Sequence, residues 1–283
     1  MRIIDVNAIS KLFSDHYVLD NITLTINDGE IFGLLGPSGA GKTTLIKLML
    51  GLLKPTKGTI EILGQDSLHY TEQTRNSFGM VLDSDGLYER LSCRENLDIY
   101  AQIFRLSNRK KRIETLLDQV GLISDIDKKV SSLSKGMRQR LVFARAIIHA
   151  PKIVFLDEPT SGLDPATAQQ IHQLMNSLRD SGTTVFLTTH NMTEAQQMCN
   201  RIALLNEGHI IEQGSPQAIT LKYFTEKMAT YTLSDGTNIQ IDLQSLTKKL
   251  EPNAKSPSSI VSIHSGEPNL EDVFIKLTGR GLR

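Results

Sequence analysis

Residues 36–43 read Gly-Pro-Ser-Gly-Ala-Gly-Lys-Thr, and no other stretch restricts the possible folds of this chain as strongly. The spacing is GxxxxGK[ST], that of a loop which wraps phosphate groups. The apolar run Ile31 to Leu35 precedes it, and Leu45, Leu48, Met49 and Leu52 follow at i, i+3, i+4 and i+7, so the loop joins a buried strand to a helix. Glycines let the backbone curl until successive N–H groups point inward, and the helix start adds partial positive charge. The candidate phosphate-binding residues are therefore Gly36, Pro37, Ser38, Gly39, Ala40, Gly41, Lys42, Thr43 and Thr44. Lys42 brings a point charge to the β- and γ-phosphates, and Thr43 a hydroxyl for Mg²⁺. A glycine turn that only linked strand to helix would not call for Lys and Thr at those places.

A second segment, Ile153-Val154-Phe155-Leu156-Asp157-Glu158, sets adjacent carboxylates at the end of an apolar strand. Open α/β sheets bind their ligands at that end of their strands. Asp157 is placed to hold Mg²⁺ through water and Glu158 to polarise an attacking water, because phosphoryl transfer depends on positioning and charge stabilisation. Adjacent carboxylates can also open a helix, but four apolar β residues before them and Pro159 after them argue against it. His190 follows a strand read over Thr184 to Thr188 and should reach the same sheet edge, across Glu158 from a γ-phosphate. A lone histidine is ordinarily structural; its position relative to the loop and the carboxylates gives this one a functional reading.

The 283 residues allow one large domain and a small one. Thirty-one Lys and Arg balance thirty-one Asp and Glu, which gives no electrostatic footprint for nucleic acid, so no nucleic-acid partner is expected. Cys93 and Cys199 belong to no metal-spaced cluster and read as reduced thiols. The N-terminal MRIIDVNAISKLF has no apolar leader core, and no run approaches the roughly 18 apolar residues of a membrane span, so any service to a membrane is from outside it.

Strand and helix alternate, which predicts an α/β fold with a mainly parallel sheet. Ile22, Leu24 and Ile26 predict a half-buried strand turned by Asp28-Gly29, and Lys57-Gly58 a hairpin-like turn. Ser92 and Glu95 are spaced as a capping box ahead of Leu97, Tyr100, Ala101 and Phe104. Ile113, Leu116, Leu117 and Val120 mark a second helix that stops at Gly121. Further helices are read near Gly136 to Ala150 and over Pro165 to Asp180, the latter capped by Asp164. After about Ser215 the texture changes to strand Ala229 to Leu233, turn Ser234-Asp235-Gly236, strand Asn238 to Asp242, a helix, strand Ile260 to His264 and a last helix. Residues 216–283 thus read as a small α+β appendage.

Leu133-Ser134-Lys135-Gly136-Met137, followed by RQRLVFARAI, resembles the LSGGQ signature of ABC ATPases. Glu158-Pro159-Thr160, the D-loop segment Ser161-Gly162-Leu163-Asp164 and His190 as a switch histidine extend the resemblance over residues 1–215. It implies a P-loop NTPase that uses ATP and Mg²⁺, with an N-terminal antiparallel β subdomain and a helical subdomain over about 84–150. In that family two ATPase domains face head to tail, so Ser134 and Gly136 of one would bind the γ-phosphate held by Lys42 of the other. All the catalytic parts are present in this chain, which implies a homodimer. Lys135 and Met137 depart from the signature, while its small Ser and Gly are kept. Phe13 matches the family's adenine-stacking aromatic, with Tyr17 as the competing candidate. At the end of Phe78 to Asp83 the family usually carries Gln; here the candidate catalytic and Mg²⁺-water ligand is Asp83. An ionised Asp accepts hydrogen bonds but donates none, so hydrolysis is expected to be weaker or more dependent on a partner.

Gly86 to Leu91, Arg94-Glu95-Asn96-Leu97 and Glu267 to Arg280 resemble ATPases of ABC-2-type exporters of drugs, antibiotics and antimicrobial peptides. That implies a transmembrane permease subunit on a separate chain, docked against Asp83 to Leu97, and a peripheral location on the cytoplasmic face of the membrane. Leu270, Val273, Phe274 and Leu277 also form an apolar stripe that could simply pack on the appendage sheet. Arg105 to Arg112 reads as a solvated helix start rather than a site for headgroups or RNA. The competing readings are a soluble ABC ATPase of translation or DNA maintenance, an importer ATPase, and an unrelated P-loop kinase or GTPase. One P-loop, one signature and no long heptad run weigh against the first, the exporter-like tail against the second, and the signature with His190 against the third.

Overall fold

Alternating apolar residues open the chain as two antiparallel strands, β1 (Arg2–Phe13) and β2 (His16–Asn27), which bury Ile4, Val6 and Ile9 against Ile22, Leu24 and Ile26. The computed structural model describes residues 1–82, 86–224, 228–234, 236–242, 260–265 and 269–279. They divide into two units, Met1–Ser215 and Pro216–Gly281.

In the first unit, β3 (Ile31–Leu35) is buried along its whole length and leads through the glycine-rich loop into α1 (Lys42–Met49). The helix stops earlier than the apolar spacing predicts, and Leu52 lies outside it, 59% exposed. Gly51 is the cause. At φ 68° its N–H reaches the Leu48 carbonyl and that of Leu52 reaches Lys47, closing the helix end before a further turn can form.

Lys57 and Gly58 are likewise not a turn but the start of β4 (Lys57–Ile62), which pairs antiparallel with β1. A Cβ on Gly58 would come within 2.4 Å of the Asn7 and Ala8 carbonyl oxygens, where the pairing register shifts, so the glycine serves a bulge. With β5 (Gln65–Asp66) these strands form an antiparallel sheet in the order β2-β1-β4-β5. A short helix, α2 (Glu72–Arg75), precedes β6 (Phe78–Val81).

Three helices follow: α3 (Cys93–Ile103), α4 (Arg109–Gln119) and α5 (Lys135–Ile147). The capping box forms as expected: Ser92 Oγ accepts from Glu95 N at 3.2 Å, and Ser92 N donates to Glu95 Oε2 at 2.7 Å. Buried Asn96 ties the preceding loop to this helix, accepting from Tyr88 N at 2.8 Å and donating to Ser92 O at 2.9 Å. Ser92→Ala is expected to lower stability by about 1 kcal/mol, read as a shift in the urea midpoint with unchanged slope. Within the basic run, Arg105, Lys110 and Lys111 are exposed as expected of a solvated start. Arg112 is not: its guanidinium donates to Ile148 O at 2.9 Å and Ile147 O at 2.8 Å, closing the end of α5.

The remaining elements of this unit are β7 (Ile153–Asp157), α6 (Pro165–Asp180) capped by Asp164, β8 (Thr184–Thr189), α7 (Met192–Met198), β9 (Arg201–Asn206) and β10 (His209–Gly214). They complete a six-stranded sheet in the order β10-β9-β3-β8-β7-β6, parallel except for the β9–β10 pair at one edge. β3, β7 and β8 are buried throughout, in keeping with the unbroken apolar runs of a covered parallel sheet.

The second unit contains α8 (Pro216–Tyr223), β11 (Met228–Leu233), β12 (Asn238–Asp242), β13 (Ile260–Ser265) and α9 (Leu270–Thr278). Its strands form an antiparallel sheet in the order β12-β11-β13, and Leu270, Val273 and Phe274 of the expected stripe are buried. Asp235 of the expected turn and the helix expected after Asp242, within 243–259, lie outside the described residues. Among the described residues no helix is long and apolar enough to cross a membrane.

Candidate active site

Parallel register sets the site. Leu35 pairs with Thr189, and Asp157 with Thr188, so the C-terminal ends of β3, β8 and β7 lie side by side. The glycine-rich loop, the carboxylate pair and His190 leave the sheet at this edge. A cavity of about 250 Å³ opens there, walled by Ser38, Gly39 and Gly41 to Thr44 on one side and Asp157 and Glu158 on the other, with Val18 at its rim.

Lys42 is only 6% exposed, and a buried ammonium needs partners. It donates to the carbonyls of Gly36 at 2.7 Å and Pro37 at 3.2 Å and lies 3.2 Å from Glu158 Oε1. Ala40 is buried and donates its N–H to Pro37 O at 3.2 Å, which closes the loop.

Thr43 Oγ1 donates to Asp157 Oδ2 at 2.7 Å. Thr188 Oγ1 donates to the other carboxylate oxygen, Oδ1, so both Asp157 oxygens are directed. A hydroxyl and a carboxylate meeting at one point suit Mg²⁺, which takes few protein ligands and keeps water and phosphate oxygens for the rest. Among the described residues no group of three or more His, Cys, Asp and Glu side chains could form an all-protein metal cage.

Glu158 stands in the left-handed backbone region at φ 50°, a conformation that costs about 1 kcal/mol in a residue with a Cβ. Thr188 holds it there, accepting the Glu158 N–H on its carbonyl at 3.0 Å and on its hydroxyl at 3.3 Å. The carboxylate then reaches two ways, with Oε1 toward Lys42 and Oε2 2.7 Å from His190 Nδ1. Thr188 was not identifiable from sequence as a site residue, because its role follows from pairing with a strand 31 residues away. Gln139 carries no local signal of a site role either; its Nε2 donates to Pro159 O at 2.8 Å and ties α5 to the turn after Glu158.

Other expected residues lie apart. Phe13 and Tyr17 are both exposed near the β1–β2 hairpin end, with Lys11 Nζ 4.9 Å from the Phe13 ring centroid. Ser134 caps α5, its Oγ accepting from Met137 N at 3.2 Å; it is exposed, and neither it nor Gly136 lines the Lys42 cavity. Lys135 donates to the Ser161 and Gly162 carbonyls at 3.2 and 3.0 Å, so this departure from the signature grips the D-loop segment. Asp83 lies outside the described residues.

The family profile described as ABC transporter matches residues 19–161. Nod factor export ATP-binding protein I of Cupriavidus metallidurans is 35% identical over 299 residues, spanning 99% of each chain. The chain belongs to the ABC transporter family. The fold of this ABC ATPase is similar to solved members. CbiO1 of Clostridium perfringens, part of the ABC transporter complex cbiONQ, aligns over 78% of this chain and 91% of its own, at 28% identity and a TM-score of 0.72. A dimeric ATP-binding cassette in a post-hydrolysis state with ADP and Pi aligns over 75% and 98% of the two chains, at 29% identity and a TM-score of 0.68. The ABC ATPase binds and hydrolyses ATP, and its cavity between the glycine-rich loop and the carboxylate pair has the donors for a polyphosphate.

Proposed function

We propose that this ABC ATPase is the energy-supplying subunit of an exporter and works from the cytoplasmic face of the membrane through a permease on a separate chain. The contact path from Lys42 through Glu158 to His190 carries the chemical part of the reading. Similarity to a Nod factor export protein along the whole chain, beyond residue 215, supports the exporter branch. Residues 1–215 are the ATPase domain and 216–283 an α+β appendage. The cargo is a drug, an antibiotic or an antimicrobial peptide.

In this reading the loop amides and Lys42 bind the β- and γ-phosphates, and Thr43 and Asp157 hold Mg²⁺. The metal supplies charge neutralisation at the phosphates. Glu158 accepts a hydrogen bond from the attacking water and takes its proton as the oxygen bonds to the γ-phosphorus and ADP leaves. His190 fixes the free rotamer of that carboxylate. Phe13 stacks on adenine. Ser134 and Gly136 serve the nucleotide of a second copy, each nucleotide lying between two chains, a reading supported by similarity to a dimeric ATP-binding cassette with ADP and Pi.

Asp83, at the family's Gln position, keeps an acceptor for Mg²⁺-bound water and lacks an amide donor. Asp83→Gln is expected to raise turnover about threefold in the absence of the membrane partner, with KM for ATP little changed. Equal rates and equal Mg²⁺ dependence of the two proteins would remove the idea.

Capture of tagged Glu158→Gln protein from detergent-solubilised host membranes, with and without ATP, tests the assignment. Mass spectrometric recovery of a multi-spanning protein supports it; ribosomal or nucleic-acid partners without a membrane protein overturn the exporter reading and leave the ATPase chemistry standing.

A further inference from the structure

A second constellation lies behind the carboxylate pair. Glu194, on α7, is 3% exposed. Its Oε1 accepts from Thr160 Oγ1 at 2.7 Å and lies 2.8 Å from His172 Nε2, on α6. Burial pushes its carboxyl pKa up, but hydrogen bonding to His172 and Thr160 outweighs burial, and the net shift is downward, although the other oxygen, Oε2, is buried without a hydrogen-bond partner among the described residues. With both contacts on one oxygen, Oε1, and the other oxygen unpartnered, a buried carboxyl that lets go of Thr160 or His172 is left with still fewer partners in the interior, which makes the pair of contacts a stiff anchor.

The anchor closes a ring. Thr160 is two residues beyond Glu158, and Glu194 four residues beyond His190. Glu158 Oε2 meets His190 Nδ1 at 2.7 Å at one end, and Thr160 meets Glu194 at the other. Between His190 and Glu194 the chain is fixed by Asn191, whose N–H donates to Thr189 Oγ1 at 3.0 Å and whose Oδ1 accepts from Glu194 N at 3.1 Å. Sliding α7 along its axis would carry His190 away from Glu158, and the Thr160–Glu194 contact opposes that slide. His172 restrains the same oxygen from the helix that follows the D-loop segment.

We propose that Glu194 is a positioning residue for ATP hydrolysis: held by Thr160 and His172, it sets the start of α7 so that His190 stays on Glu158. The proposal rests on the roles given above to Glu158 and His190. It links the D-loop segment to the histidine through side chains of this chain alone, so any partner that shifts Ser161 to Asp164 also shifts His190.

The test uses the full chain with Thr160→Val, His172→Phe and His172→Gln, and His190→Ala as the reference. Val keeps the shape of Thr160 without its hydroxyl; Gln can still donate to Glu194, and Phe cannot. Thr160→Val and His172→Phe are expected to lower kcat about tenfold with KM for ATP within twofold. His172→Gln should keep at least half of the turnover. In imidazole ¹H–¹⁵N spectra, assigned with His190→Ala, the His190 signal should shift or broaden in the two impaired variants, while that of His209 stays in place. Unchanged kcat, or a fall in kcat with the His190 signal unmoved, overturns the brace. Turnover unaffected by His190→Ala removes the reading of the site itself, and the brace with it, which separates the two failures. Should His172→Phe not fold, Thr160→Val and His172→Gln still decide.

Discussion

Glu158→Gln should slow ATP turnover by about 10²- to 10⁴-fold, the range expected on losing a general base. The substitution preserves size and leaves an amide oxygen that can still accept from His190 Nδ1, now 2.7 Å from Glu158 Oε2. What disappears is the ability to take a proton, together with the negative charge 3.2 Å from the Lys42 ammonium. Removing that charge frees Lys42 for phosphate, so nucleotide affinity should hold or rise a few-fold while hydrolysis collapses. Single-turnover phosphate release and equilibrium nucleotide titration measure the two effects separately. Turnover within about threefold of the native chain would assign the water-activating role elsewhere.

Lys42→Ala should instead remove nucleotide binding, by about 10²- to 10⁴-fold in Kd, from two lost charge-assisted hydrogen bonds at about 1.5–3 kcal/mol each. The loss is compounded locally. Without the ammonium, Glu158 Oε1 faces the phosphates as an unpaired negative charge, the Gly36 carbonyl loses its Lys42 donor, and the Pro37 carbonyl keeps only that of Ala40. Lys42→Arg keeps the charge but brings a planar fork into a space built around a compact ammonium, and should recover only part of the affinity. Titration calorimetry reads both variants; affinity unchanged in Lys42→Ala would mean that the phosphates lie elsewhere.

The site's main parts could be read from sequence because each has a local signal. The glycine-rich loop has fixed spacing, Asp157 and Glu158 stand at the end of an apolar strand, and His190 directly follows another. The parallel register then brings all three to one sheet edge. Thr188 had no such signal: a threonine inside an apolar strand reads as a β-former, and only its place opposite Asp157 gives its hydroxyl work. Glu194 was hidden for the same reason, its partners lying 34 and 22 residues away. In the fold, local signals mislead at two glycines. Leu52 continues the apolar spacing of α1 but follows Gly51, whose left-handed backbone had already ended the helix, and Gly58 looked like a turn because glycine at a close strand crossing carries the same local signature. Asp164 and Ser92, by contrast, cap the helices their spacing marked, since a cap is settled within four residues.

The mass of Glu158→Gln protein in solution, by light scattering with and without ATP and Mg²⁺, is the most direct test of a nucleotide held between Lys42 of one chain and Ser134 of another. A single chain of 31.4 kDa without nucleotide should become a particle of twice that mass with ATP, and return to one chain when Ser134→Arg is added. One chain's mass under both conditions, with ATP bound, would contradict a site completed by a second copy.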